Sequence, residues 1–152
     1  MLSIMAMKTA APSTTELASH LRLVVMRLSR RLRQHAPADI TPSQLSALAV
    51  VVRDGRLTLS QLAEAERVQP PTMTRIVDSL LQRALVTRTP SEEDRRVAWV
   101  APTAEGTALV ATVRKQRDAY LARHLRSLSD DDIAVLTRAA DLLEGFIEDP
   151  RP

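Results

Sequence analysis

Two short stretches of the chain hold the side chains best suited to recognising another molecule. In "VQPPTMTR", Gln69, Pro71, Thr72, Thr74 and Arg75 bring amide, hydroxyl and guanidinium groups close together. In "RTPSEEDRRVAWV", Arg88 precedes a run of acids ending at Asp94, which is followed at once by Arg95 and Arg96. Such donors bond phosphate oxygens and the polar edges of planar rings, and guanidinium presents a rigid fork to paired acceptors. None of these residues is a nucleophile with a base beside it.

Catalysis has little to work with elsewhere. His20, His35 and His124 are scattered and show no metal-ligand spacing, and the serines do not cluster with them, so neither an enzyme nor a metal site is expected. With only 3 glycines and neither GxGxxG nor GxxxxGK, no nucleotide-phosphate cradle can form, and no cofactor is expected. The absence of cysteine excludes disulfides, thiolate metal sites and cysteine-based redox sensing, and it fits a reducing compartment. No apolar run approaches the length of a membrane span, and the segment from Met1 to Met7 is too short for a signal peptide. A cytoplasmic location is therefore expected, with no membrane partner; Met5 and Met7 are alternative starts to Met1.

The elements that must position these residues follow from composition and periodicity. A chain of 152 residues is the size of one domain. Aromatics make up 2% of it, so the core must be built from Leu, Val, Ile and Ala, which favours packed helices. The net charge of +3 is mild but unevenly placed. Arg22, Arg27, Arg30, Arg31 and Arg33 stand between His20 and His35 with no acid among them, whereas the stretch from Asp130 to Asp149 is dominated by acids.

From Thr15, Leu17, Leu21, Val24, Leu28 and Leu32 recur at helical spacing, and Pro37 ends that helix. Thr41 and Pro42 read as cap and first residue of a second helix, which ends near Gly55. Leu57 to Leu59 is a short β-prone run, and Ser60 is expected to cap a third helix. The next helix, Pro71 to Arg83, carries the apolar stripe Met73, Ile76, Val77, Leu80 and Leu81. Two helices joined by a tight turn make a helix-turn-helix pattern. Leu85 to Thr89 and Val97 to Val100 then form a hairpin, with Trp99 expected to cover its apolar base. Thr103 starts a long helix running to Leu128, and Ser129 caps a last one, with Asp130, Asp131 and Asp132 in the first turn where the helix dipole favours acids.

On "LTLSQLAEAERVQPPTMTRIVDSLLQRALVTRTPSEEDRRVAWVAPTAEG" and "TPSQLSALAVV", the sequence resembles the MarR family of winged-helix transcription regulators. The resemblance implies a mainly α fold with a small β-hairpin wing: a winged helix-turn-helix flanked by N- and C-terminal dimerisation helices. It divides the chain into a flexible N-terminus at 1–14, a helical dimerisation region at 15–38 and 103–148, and a DNA-binding region at 39–102. It implies that the helix from Pro71 lies in a major groove of double-stranded DNA. There Gln69, Pro71, Thr72, Thr74 and Arg75 meet the DNA, Arg75 as the base reader and Gln69 with the threonines positioning the backbone. Arg88 and Arg95 of the wing touch phosphate and minor groove, and Asp94 and Arg96 brace the wing.

The same resemblance implies a homodimeric repressor on a palindromic operator, released by a small phenolic or anionic effector whose contact residues the sequence does not identify. Leu17, Leu21, Ile133, Leu136, Leu143 and Phe146 are the expected dimer contacts; intramolecular core is the other use for such stripes. Two departures from the family pattern stand out: Ala84 replaces a glycine at the end of the recognition helix, and Ala101-Pro102 replaces a leucine before Thr103. The alternative function is a winged-helix adaptor whose hairpin and helix meet protein. Glu92 and Glu93 are expected to be no more than a solvated tip.

Overall fold

The computed structural model describes residues 12–34, 39–91 and 97–148. It comprises two compact units, 1–35 and 36–152. Among its described residues the first holds one helix, α1 (Thr14–Arg33). It begins a residue earlier than the apolar spacing suggests, because Ser13 closes a capping box. The Ser13 side chain accepts from the Glu16 amide, and the Glu16 carboxylate accepts from the Ser13 amide. The Ser13 amide and the Ser13 hydroxyl both donate to the Glu16 carboxylate, at 2.8 Å each, and hold its pKa below the ordinary value.

The second unit contains α2 (Pro42–Asp54), β1 (Leu57–Thr58), α3 (Leu59–Ala65), α4 (Pro70–Gln82), β2 (Val86–Pro90), β3 (Ala98–Pro102), α5 (Ala104–Leu125) and α6 (Asp130–Glu148). The strands form one antiparallel sheet in the order β1-β3-β2. Its core is aliphatic, as the scarcity of aromatics requires. Leu48, Val51, Leu62, Met73, Val77, Leu80 and Val100 are each 0% exposed. Burial of each such side chain contributes about 1.5–3 kcal/mol, which fixes α2, α3, α4 and the sheet as one body.

Local chemistry sets the ends of these elements. Thr41 and Pro42 start α2 as expected, with Gln44 completing the capping box. The cap of α3 is Thr58 and not Ser60: Thr58 and Gln61 satisfy each other's amides, which places Ser60 inside the first turn. Helix α4 starts at Pro70, with Gln69 as its cap; both prolines fall where amides have no helical partner to lose. Leu85 lies between α4 and the strand, its amide returning to the Leu80 carbonyl, and β3 extends through Ala101 to Pro102, which pairs with Val86. Helix α5 stops at Leu125, short of Leu128, and Ser129 then caps α6 through the Asp132 amide at 3.2 Å.

Both helices of the helix-turn-helix end in the same motif. The amides of Arg67 and Val68 return to the carbonyls of Glu64 and Ala63, and those of Ala84 and Leu85 return to Leu81 and Leu80. The motif needs a left-handed residue, and Arg67 and Ala84 supply it at φ 53 each although both carry a Cβ. Replacement of the usual glycine by Ala84 therefore leaves the cap geometry intact at the cost of backbone strain.

Candidate nucleic-acid interface

Helix α4 is anchored by one face and free on the other. Met73, Val77 and Leu80 are buried, whereas Pro71, Thr72, Arg75, Asp78 and Gln82 are exposed. Arg75 makes no hydrogen bond or ion pair with any described residue, so its guanidinium is available to an external acceptor. Thr72 is exposed beside it, and Gln69, also exposed, makes no side-chain cap bond. Thr74 differs from its neighbours: it is half-buried, and its hydroxyl donates to the Pro70 carbonyl at 3.0 Å. Only its acceptor capacity remains for a ligand.

Two polar ties set the attitude of α4. Gln44 Nε2 donates to Ser79 Oγ at 2.7 Å, joining the first turn of α2 to the C-terminal half of α4. Arg83, just past the end of α4, donates to the Asp39 carbonyl and pairs with the Asp39 carboxylate at 2.6 Å. Sequence reasoning missed the Arg83 tie because its partner lies 44 residues away. It also passed over Asp78 and Gln82, which spacings of three and seven residues from Arg75 place on the exposed face.

The hairpin projects beside this face. Arg88 is exposed and approaches Asp78 of α4 at 4.0 Å; a surface pair of that kind contributes about 0–1 kcal/mol and is easily exchanged for a phosphate. Arg95, Asp94 and Arg96 lie outside the described residues, as do Glu92 and Glu93. The apolar base of the hairpin is filled by Val100, not by Trp99: strand alternation turns Trp99 to the other sheet face, half-buried under the Arg56 guanidinium at 4.8 Å. Nearby, Arg53 bonds Asp54 at 2.6 and 2.7 Å, and these bonds lower the Asp54 carboxyl pKa.

Of the residues expected at a protein interface, Leu17 of α1 is 45% exposed, and Leu136 and Phe146 of α6 are 46% and 71% exposed. Leu21, Ile133 and Leu143 are half-buried. Val135, Leu142 and Ile147 add to the apolar surface of α6.

A short strand, a helix, a turn, a second helix with a free polar face and a two-stranded hairpin define a winged helix-turn-helix protein. The MarR family model matches residues 40–98. The chain is 40% identical over 138 residues to an HTH-type transcriptional regulator of Mycobacterium bovis, covering 90% of this chain and 96% of that one. It is 31% identical to the HTH-type transcriptional repressor MdtR of Bacillus subtilis over 126 residues, 80% of this chain and 81% of that one. Its fold is similar to the structure of a MarR family protein from Bacillus stearothermophilus, at a TM-score of 0.76 and 28% identity, covering 89% of this chain and 95% of that one. The chain belongs to the MarR family of DNA-binding transcriptional regulators.

Proposed function

We propose that this regulator reads duplex DNA sequence-specifically as a homodimer on a palindromic operator, and that it is a cytoplasmic repressor released by a small phenolic or anionic effector. The observation that carries the reading is the free outer face of α4, where Pro71, Thr72 and Arg75 stand exposed on a helix whose opposite face is locked into the core. In a major groove, Arg75 takes the acceptors of a guanine edge, and Thr72, Thr74 and Gln69 meet the backbone. Arg88 meets phosphate, Arg95 enters the minor groove, and Asp94 with Arg96 braces the wing tip.

The dimer is supported by the apolar residues that α1 and α6 leave exposed, surface that soluble monomers rarely leave uncovered in such amount. In this division, 15–38 and 103–148 hold the copies together and 39–102 touches DNA. Two copies present two recognition helices to half-sites about one helical turn apart. An effector then acts through unequal affinity for the DNA-competent and incompetent spacings of those helices. The repressor outcome draws on the likeness to MdtR, a repressor by name.

The test is selection of bound sequences from a pool of random duplexes by the purified chain, repeated across salt concentration. A palindromic site whose affinity falls steeply with salt supports the reading. Recovery of no sequence at low salt overturns it in favour of an adaptor that docks on protein.

A further inference from the structure

Behind the wing tip stands an arginine that the assignment above does not use, and we propose that Arg56 is a second phosphate contact, held in place by Trp99. It meets the DNA strand across the minor groove from the one that Arg88 meets. The inference rests on the reading of α4 and the hairpin as a DNA-binding surface.

Sheet register separates the two arginines. Arg88 and Leu57 pair with Val100, which is 0% exposed, so Arg88 leaves the sheet on its core-facing side, next to Asp78. Thr89 and Thr58 pair with Trp99, whose side chain therefore points to the opposite side. The Arg56 guanidinium lies over that indole, 4.8 Å from the ring centroid. Pro90 and Ala98 form the last pair of the ladder, so the Trp99 ring under Arg56 stands one pair, and Arg88 two pairs, behind the connection at 91–97.

A hairpin that enters a minor groove has a phosphate strand on each flank, and that groove is only about 6 Å wide. One guanidinium on each face of the hairpin matches this arrangement. Stacking uses the flat face of the guanidinium and leaves its N–H edge free to donate, while the indole restricts the rotamers that a bare arginine would lose on binding. The adjacent acid does not compete, because Asp54 is taken by Arg53 at 2.6 and 2.7 Å. Beyond the ring, Arg56 has no hydrogen bond or ion pair with any described residue.

The experiment measures equilibrium binding of the full chain to a selected site and to an unrelated duplex between about 50 and 200 mM salt. Each phosphate contact contributes a slope of about −0.9 in log affinity against log salt, so Arg56→Ala should lose about 3.5-fold less affinity than wild type over that fourfold range. Its ratio of specific to unrelated binding should be unchanged, because phosphate carries no sequence information. Arg56→Lys, which keeps the charge, should keep the slope. Arg56→Gln, which keeps a stem over the indole, serves as the neutral variant if alanine perturbs the hairpin. Wild-type slope and affinity in the neutral variants would overturn the proposal while leaving the DNA reading intact. Loss of salt-dependent binding in the wild-type control would instead remove the DNA reading and this inference with it.

Discussion

Glycine-to-alanine substitution should have opposite signs at Gly106 and Gly145, although both lie within helices. A Cβ built on Gly106 would stand 2.1 Å from the Leu85 carbonyl oxygen, 3.0 Å from its carbon and 3.2 Å from Leu48 Cδ1. The first two are backbone atoms and cannot swing aside, so the start of α5 or the Leu85 peptide must shift. That peptide accepts from the Thr103 amide at 3.1 Å, and the Thr103 hydroxyl donates to the Ala84 carbonyl at 2.8 Å. The shift thus disturbs the cap of α5 together with the end of the recognition helix. Overpacking costs about 1–3 kcal/mol and a damaged cap about 1 kcal/mol, against a helix-propensity gain of about 1 kcal/mol. Gly106→Ala should therefore lose about 1–3 kcal/mol in urea unfolding at fixed protein concentration, with a lower midpoint and an unchanged slope. At Gly145 nothing lies within 4 Å of the added carbon, and Gly145→Ala should gain up to about 1 kcal/mol. Stability of Gly106→Ala equal to or above wild type would refute the claim that α5 is seated directly on the Leu85 peptide.

Arg75→Ala should cost about 1–3 kcal/mol on a selected site and relax preference at particular base pairs, whereas Arg88→Ala should weaken all duplexes alike; competition binding against point-substituted sites separates the two. Ala84→Gly should raise stability by about 0.5–1 kcal/mol by relieving the left-handed Cβ at φ 53, read as a higher urea midpoint. Lower stability in that variant would show that the position carries no strain. Because the folded pKa of Glu16 is depressed, its contribution to the first turn of α1 is present above the ordinary carboxylate value and is lost as pH falls through the lowered one. NMR titration of the Glu16 carboxyl should give a lower midpoint in wild type than in Ser13→Ala.

Much of this protein is legible along the chain because the forces that shape it are local. Helical spacing of Met73, Val77 and Leu80 announces the buried face of α4, and the same spacing leaves Pro71, Thr72 and Arg75 outside. Thr41 with Pro42, Ser129 with Asp132, and Thr103 each mark a helix start, since a cap needs only residues within one turn. Where two caps compete in one stretch, as Thr58 and Ser60 do, the partner three residues on decides, and Gln61 selects Thr58.

Tertiary structure alone decided the features whose partners are far away in sequence. Backbone register, not hydrophobicity, turned Trp99 away from the core and placed it under Arg56. Packing of α5 against Leu85 left no room for a Cβ at Gly106, where a sequence shows only a helix-start glycine. Arg83 meets Asp39, and Ser79 meets Gln44, because the fold sets the start of α2 against the C-terminal half of α4. Capping and amphipathicity are satisfied within a turn or two and so are written in short patterns. Register, close backbone approach and long-range pairs depend on how whole elements meet, which no short pattern specifies.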